Sequence, residues 1–215
     1  MKNNEKMRGD KQGMTNVCAI CGAQINLVQR VKLIDGNYIC LKKCKNMGMP
    51  DLNYTHASLE TVLAHNRQVS EGTKLFTQYF LKEGSMGRLQ KNVVTKGKNL
   101  YIREDMELIA LAYSDYKTFY FGKQFLKACV YSMANLERCE PDISRICVDE
   151  QERIKKGLRY SFRNVEGLSE FFVEDSKRKS TKEYFDKLIA TQKCNKQKNF
   201  HDTVQSDVAG DIFKI

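Results

Sequence analysis

The feature that most constrains this chain is a pair of cysteine pairs near its start. Cys18 and Cys21 are separated by two residues and Cys40 and Cys44 by three, giving C-x2-C-x18-C-x3-C. About thirty residues cannot bury a stable core of their own, so such a segment needs a cross-link or a metal. Residues 1–16, MKNNEKMRGDKQGMTN, contain no apolar h-region, so no secretory signal is expected and a cytoplasmic location is. In a reducing compartment, closely spaced cysteine pairs point to a metal rather than to disulfides.

The local sequence supports that reading. Cys18-Ala19-Ile20-Cys21-Gly22 is a knuckle in which two thiolates grip one ion, and Gly22 permits the tight turn. Ile34-Asp35-Gly36-Asn37 is a hairpin turn between two short strands, one with Val31 and Leu33 and one with Tyr38 and Ile39. The three-residue gap places Cys40 and Cys44 on one face of a helical turn. Four thiolates with no open position imply one closed, tetrahedral, structural Zn²⁺, with iron as the alternative metal. If Cys44 falls out of reach, His56 is the near substitute.

The remaining chain reads as α+β. Residues 49–58 form a connector, and Ser58 caps a helix that is expected to end near Glu71, before Gly72. Its apolar stripe is Leu59, Val62, Leu63 and Val69, which leaves His65 at the surface. Residues 89–93 and 99–102 flank Lys96-Gly97-Lys98 as a hairpin, and 117–121, 125–131, 143–148 and 171–173 read as strands. Residues 106–113 fit a strand or a helix. Leu158, Tyr160 and Phe162 alternate with Arg159, Ser161 and Arg163, so the first three face a core. Ser180 and Glu183 form a capping box for a closing helix whose stripe is Tyr184, Phe185, Leu188 and Ile189.

The stretch CAICGAQINLVQRVKLIDGNYICLKKC resembles the N-terminal zinc-ribbon domain of unknown function of Gram-positive bacterial and phage proteins. The resemblance rests on the C-x-x-C-G knuckle, D-G-x-x-C and the closing cysteine. It implies zinc ligation by Cys18, Cys21, Cys40 and Cys44, and it carries no activity. Members of that family continue into a helix and a PH-like β domain, a bent sheet capped by a C-terminal helix. SLETVLAHNRQ, GKNLYI, AYSDYKTFYF and STKEYFDKLIATQ are similar to those parts. The expected organisation is a flexible tail (1–16), a treble-clef or zinc-ribbon module (17–48), a connector and helix (49–72), an α+β, PH-like domain (73–198) and a C-terminal tail (199–215).

Net charge is +10. Residues 1–50 hold nine Lys/Arg and three Asp/Glu, residues 51–150 hold thirteen of each, and residues 151–215 hold fourteen and ten. Basic ends favour phosphate-rich partners. A nucleic-acid interface would use Lys177, Arg178, Lys179, Lys182, Lys193, Lys196 and Lys198, although no aromatic-interleaved basic motif accompanies them. Cys129, Cys139, Cys147 and Cys194 form no tight pair and read as core or surface residues, with a site from Cys139, Cys147 and a histidine left open. His56, His65 and His201 make no catalytic or zinc-hydrolase motif, and the Gly84–Arg88 loop lacks the P-loop ending. Acidic clusters at 104–107 and 149–152 fit solvated turns, and Tyr113, Tyr116, Phe119, Tyr120 and Phe121 fit a sheet core. The expectation is a zinc-stabilised binding or adaptor module acting on a protein partner, with no catalytic residue. A nucleic-acid binder and an enzyme with a spatially assembled site are the rivals. No stretch reaches the ~20 apolar residues of a membrane span, so no membrane insertion is expected.

Overall fold

The computed structural model describes residues 16–83, 88–115, 125–148 and 151–191. The expected tails, the strand at 117–121, His201, Cys194, Lys193, Lys196 and Lys198 lie outside these residues. The fold is mixed helix and sheet. Two two-stranded ribbons come first, β1 (Asn16–Val17) with β2 (Gln24–Ile25) and β3 (Arg30–Lys32) with β4 (Tyr38–Cys40). Helix α1 (Leu59–Tyr79) follows. A four-stranded antiparallel sheet is built from β5 (Val94–Thr95), β6 (Leu100–Arg103), β7 (Leu108–Asp115) and β8 (Phe125–Ser132) in chain order. A three-stranded sheet has β10 (Gln151–Phe162) between β9 (Leu136–Val148) and β11 (Glu170–Glu174). A second helix, α2, covers 178–191.

Side-chain alternation along the strands assigns the layers. Leu100, Ile102, Ile109, Leu111, Cys129 and Tyr131 share one face of the four-stranded sheet. They meet Leu158, Tyr160, Phe162, Phe171 and Val173 of the other sheet and Phe185 of α2 in one core. Tyr131 stacks on Phe162 at 4.2 Å between ring centroids, and Phe185 meets Tyr160 edge-on at 5.2 Å. The opposite face carries Ala110, Ala112 and Ala128, and on it lie Phe76 and Phe80 from the end of α1. The inward alternation of Leu158, Tyr160 and Phe162 is as the sequence predicts, all three being buried. Phe185 is fully buried, and Tyr184, Leu188 and Ile189 pack beside it.

Several local expectations are corrected. Helix α1 does not stop at Glu71; it runs 21 residues, and Gly72 is its crossing point over β8. A Cβ at Gly72 would lie 2.9 Å from Cys129 Cα and 3.0 Å from Val130 N, and closer still to the Ala128 carbonyl. The glycine therefore lets helix and strand backbones touch, and Phe76 and Phe80 hold the extra turns down. Leu63 is exposed rather than part of the buried stripe. Residues 106–113 resolve into a short 3-10 turn (Glu104–Met106) and strand β7, because the β6 and β8 ladders claim the segment. Of 89–93, only Leu89 bridges, to Leu81, and the hairpin strand begins at Val94. Ser180 does not cap α2. It lies inside the helix and its Oγ donates to the Lys177 carbonyl, while Asp175 Oδ1 accepts the Lys177 N–H at 2.7 Å. An Asx turn at Asp175, five residues before Ser180, outcompetes the capping box.

Candidate metal centre

The four cysteines of the two pairs converge. Their sulfur atoms all lie within 4.8 Å of one another. Cys18 Sγ is 3.6 Å from Cys44 Sγ, and Cys21 Sγ is 3.8 Å from Cys40 Sγ. A disulfide needs ~2.05 Å, and no disulfide is present among the described residues. A tetrahedron with metal–sulfur bonds of ~2.3 Å has edges of about 3.8 Å. The donor set therefore fits one metal ion.

Each ligand is placed by a short-range device. The β1–β2 ribbon closes the first knuckle: Cys18 N–H donates to the Ala23 carbonyl, Gly22 N–H donates to the Cys18 carbonyl, and Gly22 has φ +69°. The hairpin between β3 and β4 pairs Val31 with Ile39, as the sequence implies, and turns at Gly36 with φ +84°. Cys40 is the last residue of β4, and Cys44 ends the turn that follows. The second pair therefore sits on a strand end and a tight turn leading into a 3-10 turn (Lys45–Met47), not on an α-helix. The turn still brings the two together, because Cys44 N–H reaches Cys40 Sγ at 3.3 Å. Cys40 N–H likewise reaches Cys18 Sγ at 3.3 Å. Cys44 is in place, and His56, exposed with its Nδ1 3.1 Å from Thr55 Oγ1, is not needed as a substitute.

The electrostatics favour thiolate at Cys18 and Cys40. Burial opposes ionisation of Cys18, but N–H groups of Cys21, Ile20 and Cys40 outweigh it and bring the thiol down to about 6. Cys40 is lowered in the same way: burial is outweighed by the N–H groups of Cys44 and Lys43. Burial and the neighbouring thiols push Cys44 up. Four thiolates this close repel one another until a cation stands between them.

The segment after Cys44 fastens the centre to the body. Tyr54 OH donates to the Lys45 carbonyl at 2.9 Å. Met49, 1% exposed, enters the main core. Tyr113 OH donates to Asp51 Oδ1 at 3.1 Å. Asp35 Oδ2, in the hairpin turn, accepts the Leu59 N–H at the start of α1 at 2.7 Å. Lys127 Nζ donates to the carbonyls of Asn46 and Gly48.

His65, expected at the surface, is fully buried. Its Nε2 accepts the Met49 N–H at 2.9 Å, and Nδ1 lies 3.4 Å from Gln68 Oε1. The signal was available: His65 follows Val62 by three residues and precedes Val69 by four, so it belongs to the same stripe. Burial lowers its pKa below 6.5. An unfolded histidine gains a proton as pH falls through 6.5 while the folded one resists, so stability present above 6.5 is lost below it. We expect His65→Leu to strand the buried Met49 N–H and cost about 1–3 kcal/mol at neutral pH. The same change should flatten the acid limb. Urea midpoints at pH ~7.5 and ~5 measure both effects, and an unchanged acid limb would contradict the assignment.

The other candidate residues do not assemble into a site among the described residues. Cys129 and Cys139 are buried in the main core, where burial pushes each thiol up to about 12, and Cys129 Sγ rests 3.2 Å from Met49 Sδ. The Cys147 side chain is not among those described. Asp105 pairs with Arg103 at 3.1 Å, and Glu104 accepts the Tyr184 hydroxyl at 2.7 Å, so the 104–107 cluster is tied into the fold. Of the basic residues proposed for nucleic acid, Lys177, Arg178 and Lys179 are exposed at the start of α2. Lys182 is engaged with Asp186 at 2.7 Å. Among the described residues no helix is long and apolar enough to cross a membrane. What fold and site define is a four-cysteine, metal-competent module fastened to a mixed helix-and-sheet body. No family model, curated protein or solved structure matches this chain.

Proposed function

We propose that Cys18, Cys21, Cys40 and Cys44 hold one structural Zn²⁺, and that the chain is a zinc-stabilised binding or adaptor module rather than an enzyme. The observation that carries this reading is the cluster of four cysteine sulfurs, held by two N–H···S contacts, which would leave a tetrahedral ion no coordination position open to a substrate. An all-sulfur tetrahedral set suits Zn²⁺, and iron is the competing ion. When bound, the metal supplies folding energy; the chain's own residues orient the thiolates and couple them to α1 and the sheets. The knuckle, hairpin and closing turn follow the order of a zinc ribbon. The PH-like resemblance implies a bent sheet capped by a C-terminal helix, and here β-strands are followed by α2. His65, Cys129 and Cys139 are buried, so none of the three faces a substrate; the partner that this reading proposes is a protein.

A native mass spectrum of the protein as purified tests the reading. One zinc per chain and no further mass is expected. Iron, two metal ions or a retained nucleotide would overturn it.

A further inference from the structure

The metal-competent module exposes several aliphatic side chains, and the two most exposed large hydrophobics among the described residues sit side by side in it. Leu27 is 72% exposed and Val28 is 83% exposed. They are not on a loose end. The 3-10 turn Leu27–Gln29 is capped by Asn26, whose Oδ1 accepts the Gln29 N–H at 3.0 Å, and it leads directly into β3. No residue of that turn is buried. Leu41 N–H donates to the Gln29 carbonyl at 2.9 Å, which brings the turn carrying Lys42 and Lys43 alongside. Both lysines are exposed. Arg30 and Lys32 follow on β3, with Arg30 spread over the Tyr38 ring at 4.3 Å. Among the described residues none of these four cations forms an ion pair with a carboxylate. The module's one acidic residue, Asp35, lies beyond the far end of β3 and is engaged with the Leu59 N–H.

We propose that this end of the module is a docking site for an anionic lipid surface, with Leu27 and Val28 entering the headgroup–acyl boundary and Arg30, Lys32, Lys42 and Lys43 facing the headgroups. The inference rests on the metal-held fold proposed above, since only a held turn keeps both aliphatic side chains outward. Two branched aliphatics on a projecting turn fit a plane that yields to them, and single-signed charge around them matches anionic headgroups. A polynucleotide would engage the four cations and leave the aliphatics in water. A protein acceptor would need its own apolar pocket with an acidic rim.

The test uses the metal-loaded full chain and vesicles of phosphatidylcholine, alone or mixed with phosphatidylglycerol. Co-sedimentation with the mixed vesicles is expected, weakening as salt rises. Leu27→Ser with Val28→Ser should reduce partition roughly tenfold or more, and Lys42→Glu with Lys43→Glu should reduce it for the anionic vesicles. Equal metal content and melting temperature in the variants separate this inference from the metal reading. The proposal is overturned if the full chain stays in the supernatant, if the Leu27/Val28 variant partitions like the parent, or if neutral vesicles bind as well. Salt-sensitive binding to duplex DNA that is indifferent to Leu27 and Val28, with no vesicle binding, would also overturn it and assign the cations to nucleic acid.

Discussion

Cys21→Ser is expected to release the metal and to melt residues 17–48. A tetrahedral site with four protein ligands has no spare donor, and structural zinc supplies folding free energy on the order of 10 kcal/mol or more in small modules. The ribbons concerned are two and three residues long, far too short to persist alone. The α1–sheet body has its own cores, so it should survive the loss while becoming less protected around Met49 and His65. Metal content by native mass spectrometry and amide exchange over 17–48 read the two effects. Cys194→Ser is the control and should keep both metal and protection. Equal metal in the two variants would sink the ligand assignment.

Gly72→Ala is expected to destabilise the protein, against what helix propensity alone says. In an exposed helix interior the change adds about 1 kcal/mol of stability. Here the new Cβ meets the backbone of β8 at the Ala128 carbonyl, Cys129 Cα and Val130 N, and neither backbone can yield without disturbing its ladder. Overpacking of this kind costs about 1–3 kcal/mol. Set against the helix-propensity gain, a net loss of about 1 kcal/mol lowers the melting temperature of a chain of this size by roughly 2–4 °C. Ser70→Ala, on the exposed side of the same helix, should be neutral or slightly stabilising. A raised melting temperature for Gly72→Ala would mean that α1 does not cross β8 at that point.

These two sites show where sequence reading succeeded and where it stopped. The cysteine cluster was legible because its four thiols are brought together by local devices: a knuckle with Gly22, a tight hairpin at Gly36 and a four-residue turn. Each is encoded within a few residues of the atoms it positions. Strand faces were legible for the same reason, as at Leu158, Tyr160 and Phe162, since alternation is a property of the strand itself. Gly72 was misread as a helix end because a glycine signals either a stop or a close approach, and only β8 lying against it decides which. The burial of His65 was legible in its spacing from Val62 and Val69, but its hydrogen-bond partner, Met49, was not, because that residue arrives from the segment beyond the cysteine module. The start of α2 was misread because Asp175 captured the Lys177 N–H first.

The sequence by itself determined which four cysteines cluster, the hairpin between them, the mixed helix-and-sheet composition and the amphipathic face of the last helix. All of these follow from spacing along the chain. Only the tertiary structure decided that α1 crosses a strand at Gly72, that a histidine fastens the metal module to the body, and that Leu27 and Val28 stay in solvent. Those outcomes depend on which distant backbone or side chain occupies the neighbouring space, and no local pattern carries that information.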